Sequence, residues 1–150
     1  MSKVTKNEMK RLLEKANVGM ENAFAVRSGF RVGAAVLTFN ENIYQGCNIE
    51  SVISGLGVCA ERCAIDNAVA NGEYCFKAIL VIYNKIKNPQ NPCGLCLQYL
   101  SEFSQISNKD IEIITVGSEG KVKKTSLNKL IAKMYGPKDA GLDLKKFKCK

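Results

Sequence analysis

Cys59-Ala60-Glu61-Arg62 and Pro92-Cys93-Gly94-Leu95-Cys96 are the segments of this chain whose residue types and spacing could do chemistry together. The three cysteines offer thiolate ligands to a metal, and Glu61 offers a carboxylate that need not be one. Tetrahedral zinc held by three protein ligands keeps a fourth position for water, which separates catalytic sites from closed structural ones. The chain has no histidine, so any zinc site must be built from thiolates and carboxylates. A closed alternative uses the same cysteines: Cys59, Cys63, Cys93 and Cys96 would make a four-thiolate structural zinc module with no room for water. That module leaves Glu61, Asn48 and Glu50 unexplained, and Cys63 inside a helix is more simply a small buried residue.

The elements that must position these groups follow from periodicity. Residues 7–23 place Met9, Leu12, Leu13, Ala16, Val18 and Met20 on one broad helical face. Phe30–Phe39 reads as a strand, Asn40-Glu41-Asn42 as a turn and Ile43–Cys47 as the returning strand of a hairpin. Residues 59–70 suit a buried helix ended by Asn71-Gly72. The continuous apolar run Ala78–Tyr83 marks a strand covered on both faces. A helix is expected from Cys93 to Phe103, a second buried strand over Ile111–Val116, and a closing helix over Thr125–Tyr135. This order predicts an α/β fold, a three-layer α/β/α sandwich with a mixed sheet. Cys59 and Cys93 fall at helix N-termini, whose partial positive charge stabilises thiolates. Two such ends meeting over the sheet edge would assemble one three-thiolate site.

At 150 residues the chain is expected to hold one domain, residues 1–138, followed by a basic tail, residues 139–150. The net charge of +8 belongs to its end: residues 121–150 hold 10 Lys and 2 Asp, while residues 1–120 hold 12 basic and 12 acidic residues. The tail is expected to be solvated and partly disordered. A motif-bearing region of zero net charge, without interleaved basic and aromatic residues, argues against a nucleic-acid partner. No apolar run approaches the roughly 20 residues that span a bilayer, so no membrane partner is expected. The first residues lack the apolar core of a secretory signal. Seven cysteines, two in a C-x-x-C, then point to reduced thiols and metal over disulfides, and to a cytoplasmic compartment.

Taken with Phe30-Arg31-Val32-Gly33-Ala34-Ala35, Gly46-Cys47-Asn48-Ile49-Glu50, Ser101-Glu102-Phe103 and Tyr135-Gly136-Pro137, the cysteine motifs resemble those of the small homotetrameric cytidine deaminases, whose C-x-E and P-C-x-x-C signature is general to zinc deaminases. The resemblance runs from about residue 8 to residue 139. It implies zinc on Cys59, Cys93 and Cys96, with Glu61 carrying protons between water, ring nitrogen and departing ammonia. It implies Arg62 as compensation for thiolate charge, Phe30 packed on the base, and the Ala60 backbone at the pyrimidine edge. Asn48 and Glu50 would hold the ribose hydroxyls, and Tyr135 would reach into a neighbouring subunit's pocket. The implied function is hydrolytic deamination of cytidine and deoxycytidine in pyrimidine salvage, by a homotetramer acting on a small-molecule nucleoside. A blasticidin-type or other nucleoside-analogue deaminase shares the zinc motif and is the alternative activity. Three departures stand out. Leu97 replaces an arginine, Val26-Arg27-Ser28 replaces Pro-Tyr-Ser, and Ser54 replaces a tyrosine.

Overall fold

Thr5 opens the first helix with both halves of a capping box. Its hydroxyl accepts from the Glu8 amide at 3.2 Å, and Glu8 accepts from the Thr5 amide at 2.8 Å. The computed structural model describes residues 3–147 and Cys149. Helix α1, Lys6–Glu21, buries Leu12 and Ala16 against the sheet, whereas Val18 turns to solvent. Strands β1, Val32–Thr38, and β2, Ile43–Cys47, form the expected hairpin. Helix α2, Ala60–Ala70, leads to β3, Phe76–Tyr83. Helix α3, Gly94–Ser107, then carries the chain to β4, Glu112–Val116.

The sheet order is β2-β1-β3-β4-β5, with β3 and β4 parallel and every other pair antiparallel. One apolar layer joins α1 to Ala35, Leu37, Leu80, Ile82 and Ile114. The other joins α2 and α3 to Val36, Ile79, Val81 and Ile113 on the opposite face. The fold is the three-layer α/β sandwich the periodicity implies, with a mixed five-stranded sheet. Among the described residues no helix is long and apolar enough to cross a membrane.

Two glycines set the layer spacing. A methyl on Gly46 of β2 would overlap the Ala60 carbonyl and the Ala64 amide of α2, and one on Gly33 of β1 would overlap the Ala16 carbonyl of α1. Backbone therefore packs directly on backbone where α2 begins, just beyond Cys59.

The closing segment departs from expectation. In place of a helix over Thr125–Tyr135, β5 spans Val122–Ser126 and α4 covers only Leu127–Leu130. Val122-Lys-Lys-Thr-Ser carries no apolar alternation of its own, and its extended form comes from pairing with the edge of β4. Lys121, Lys123 and Lys124 along it face solvent.

The cysteines depart as well. Five are free, but Cys75 and Cys149 form a disulfide across a sequence separation of 74. Phe147, in a short 3-10 turn (Lys145–Phe147), meets Tyr74 edge-on at 5.0 Å, so the chain end is fastened beside the start of β3. A cross-link over so long a loop contributes roughly 4 kcal/mol at most on chain-entropy grounds. Reducing the protein, or making Cys149→Ser, should therefore lower its thermal midpoint by several degrees; an unchanged midpoint would mean that the clasp adds nothing.

Candidate metal centre

Cys59 is the N-cap of α2 and Cys93 the N-cap of α3, with Cys96 one turn further in. Both helix starts lie past the carboxyl end of β3, where open α/β sheets form ligand crevices. The three sulfur atoms lie within 4.8 Å of one another. Cys59 Sγ is 3.9 Å from Cys93 Sγ, which is 3.5 Å from Cys96 Sγ. Zinc–sulfur bonds of about 2.3 Å at tetrahedral angles put sulfurs about 3.8 Å apart, so the set fits zinc. Arg62 adds a second sign of fit. Its Nη2 donates to the Gly57 carbonyl at 2.9 Å, while its buried Nε has no partner and its charge acts on Cys59. An unpartnered buried donor beside a thiolate is what an anionic sulfur cluster would use.

Cys63 does not join. Cys63, one turn later, faces β2, where it adds to the rise that burial imposes on the Cys47 thiol's pKa. The four-thiolate reading therefore lacks its fourth sulfur. Replacing Cys63 by Ser should leave zinc content near one per chain, whereas Cys93→Ser should abolish it; equal loss in both would restore the closed site.

Without metal the sulfurs cannot all ionise. Cys59 is pulled down to about 6, first by the hydrogen bond from Cys96, and also by Cys93 and Arg62. The partner proton stays on Cys96, whose pKa is raised by that bond and by burial.

Glu61 is 5% exposed and lines the same cavity. Burial raises its pKa to about 7, with the Cys59 charge adding to the rise. A raised carboxyl favours the folded state while neutral and weakens it once charged. In metal-stripped protein this penalty is absent below 4.5, the ordinary value, and complete above about 7. Glu61→Gln, always neutral, should then be more stable than wild type at pH 8 by roughly 3 kcal/mol, at 1.36 kcal/mol per pKa unit, with no such gain at pH 4. Urea denaturation at the two pH values checks this; equal gaps at both would refute it.

The cavity encloses about 780 Å³ and is lined by Phe30, Asn48, Glu50, Ala60 and Glu61 among the residues singled out from sequence. Phe30 precedes β1 and Tyr83 ends β3; because Val32 pairs with Tyr83, their rings come together, near parallel at 7° and 6.1 Å between centroids. Asn48 is committed to backbone: its Oδ1 accepts from Val32 N at 2.8 Å and its Nδ2 donates to the Phe30 carbonyl at 2.8 Å. Glu50 accepts from Ser28 Oγ at 2.5 Å and Arg27 N at 2.7 Å, contacts that hold its carboxyl below the usual range, the Ser28 hydroxyl foremost. Tyr135 lies outside the cavity; its side chain is 70% exposed and its carbonyl accepts from Gln98.

Of the three departures, Leu97 is buried in the apolar core, while Arg27 and Ser54 line the cavity, with Arg27 Nη1 donating to the Ser51 carbonyl at 3.3 Å. Sequence reasoning missed Tyr83, the last residue of an apolar run read only as core. It also missed Ser28 and Asn84, which hold Glu50 and the Gly29–Arg31 backbone. A tyrosine closing a buried strand just before a Pro-Cys loop was the available signal.

Residues 6–111 match the model of the cytidine and deoxycytidylate deaminase zinc-binding region. The chain is 33% identical over 132 residues to the cytidine deaminase of Sporosarcina psychrophila, covering 88% of this chain and 94% of that one. It is 30% identical over 111 residues to the blasticidin-S deaminase of Bacillus cereus, covering 69% of this chain and 76% of that one. Among solved structures, the cytidine deaminase from Burkholderia pseudomallei superposes with a TM-score of 0.76 at 34% identity, covering 88% of this chain and 100% of that one.

Proposed function

The chain belongs to the cytidine and deoxycytidylate deaminase family, a zinc-dependent hydrolase that deaminates cytidine, and on that footing we propose how its residues divide the work. The observation that carries the reading is the coincidence, at one cavity, of a three-sulfur cluster at zinc spacing, two of whose cysteines line the wall, and a buried carboxyl. Zinc held by Cys59, Cys93 and Cys96 supplies Lewis acidity that makes water a nucleophile near neutral pH.

The chain's own groups do the rest. Phe30 offers a flat wall to the pyrimidine, and the Ala60 backbone meets its polar edge. Glu61 takes a proton from the attacking water and passes it to the ring nitrogen beside the reacting carbon, then takes the proton of the added hydroxyl and passes it to the amino group, which leaves as ammonia. Burial raises its proton affinity, which suits a carboxyl that must both accept and return a proton. Arg62 and the two helix N-termini offset the thiolate charge. Glu50 and Asn48 take the sugar hydroxyls. Asn48 does so with the N–H and lone pair left over from Phe30 and Val32, and Glu50 with a carboxylate oriented by Ser28.

Residues 1–138 form the deaminase domain, and 139–150 a basic tail that, against the expectation of a solvated, partly disordered end, is fastened to that domain by the Cys75–Cys149 disulfide and by Phe147 against Tyr74. The substrate is a free nucleoside, which puts the activity in pyrimidine salvage; the compartment is cytoplasmic, a reading supported by five free thiols, three of them at the metal centre, and opposed by the Cys75–Cys149 disulfide at the chain end. The assembly is a homotetramer. Support comes from exposed apolar side chains on segments that border the cavity, Phe24, Val26, Val52, Ile53 and Leu56, and from the exposure of Tyr135 outside its own cavity.

Loss of ultraviolet absorbance on incubation with cytidine, deoxycytidine, cytosine, a nucleotide and a single-stranded oligonucleotide tests the reading. Zinc-dependent turnover of the nucleosides, lost by several orders of magnitude in Glu61→Gln, is expected. Likeness to a blasticidin-S deaminase and a roomy cavity justify adding blasticidin S as a further arm, and turnover of that compound alone would transfer the activity to the analogue. Tyr135→Ala chains reassembled with Glu61→Gln chains should exceed the sum of the separate pools. Activity equal to that sum after confirmed subunit exchange would confine Tyr135 to its own chain.

A further inference from the structure

Two of the three sulfurs reach the centre at the end of the loop 84–92, and that loop is fastened to the body along its course. Asn84 holds its start, accepting from Arg31 N at 2.9 Å and donating to the Gly29 carbonyl at 3.0 Å. In the middle, Ser118 N donates to the Ile86 carbonyl at 2.7 Å, and Gly117 lies so close to Lys87 that a methyl there would overlap its carbonyl. Near the end, two residues before Pro92, the Tyr83 hydroxyl donates to the Gln90 carbonyl at 3.2 Å. That bond spans the loop from its first anchor on β3 to the approach of Cys93. Tyr83 itself is 8% exposed, lines the cavity, and lays its ring parallel to Phe30. A buried phenol in a cavity wall, bonded outward to a loop and stacked inward on an aromatic, has two separable functions.

We propose that Tyr83 is a positioning residue for this reaction: its hydroxyl latches the loop that delivers Cys93 and Cys96, and its ring backs Phe30 to fix the width of the slot for the pyrimidine. The second half rests on the deaminase reading above; the first half does not. Without the latch, the loop end next to Pro92 keeps its backbone but loses its last tie to β3, so the two sulfurs spend more time out of register with Cys59. Without the ring, Phe30 can tilt away and the slot widens.

The two functions separate in variants. Tyr83→Phe removes only the hydroxyl, and Tyr83→Leu removes the ring as well. Transfer of zinc from the loaded protein to a chromogenic chelator reads the latch without reference to activity, and KM for cytidine reads the slot. Tyr83→Phe should release zinc roughly fivefold faster, the scale of one lost hydrogen bond, with KM unchanged. Tyr83→Leu should release zinc as fast as Tyr83→Phe and raise KM roughly tenfold, the scale of one impaired stacking contact. If Tyr83→Leu does not fold, Tyr83→Met takes its place, keeping most of the buried volume while removing the ring. Zinc release at the wild-type rate from Tyr83→Phe overturns the latch; a wild-type KM in the ringless variant overturns the slot. Failure of wild type to turn over cytidine would sink the deaminase reading and leave the chelator experiment to decide the latch by itself.

Discussion

Three sulfur atoms cannot share a few ångströms of space as anions without something positive among them, and much of this structure answers that constraint. In the bare protein the answer is protons: Cys59 gives its proton up readily because Cys96 keeps one. Metal must displace those protons, so affinity will fall as pH drops. The permanent positive sources are the amide ends of α2 and α3, which the two capping cysteines occupy directly, and the Arg62 guanidinium. Leu97, one residue beyond Cys96, contributes apolar burial and no charge. The remaining sources must therefore be held rigidly, and Arg62 is: one of its nitrogens is tied to the Gly57 carbonyl.

Rigidity reaches the site from the sheet by short paths. Gly46 lets α2 sit backbone to backbone on β2, which fixes the height of Cys59 and Glu61 above the sheet. Asn48 ties the segment after β2 that carries Glu50 to the segment before β1 that carries Phe30, so these two parts of the cavity wall move together. Asn84 does the same between the end of β3 and the turn before Phe30. Each cross-link is an amide side chain satisfying backbone groups that no strand partner serves, and at such places a change of residue costs both bonds at once.

Much of this was legible in the chain. Continuous apolar runs gave the buried strands, the Asn-Glu-Asn turn gave the hairpin, and the positions of Cys59 and Cys93 before apolar helical patterns gave two helix starts that the structure confirms as N-caps. The misses share a physical cause. Val122–Ser126 becomes a strand only because β4 offers an edge, information that lies ten residues away and not in the segment itself. The Cys75–Cys149 clasp joins residues that nothing local relates. Asn48 was readable as a polar residue aimed at the cavity, but its commitment to two backbone groups depends on which strand end lies beside it. Tyr83 looked like any aromatic ending a buried strand.

The lysines of β5 have a further consequence. They stand along the outermost strand, whose far side has no neighbour in the sheet order. Two copies meeting there to continue the sheet would bring Lys123 and Lys124 of each against the other's edge strand, a like-charge encounter that discourages fibre-like growth. At physiological ionic strength this repulsion reaches about 8 Å, and it shortens as salt is added. Much of the positive charge that first invites thoughts of an anionic partner then acts as insulation: it keeps one border of the molecule closed and leaves association to faces that carry apolar side chains.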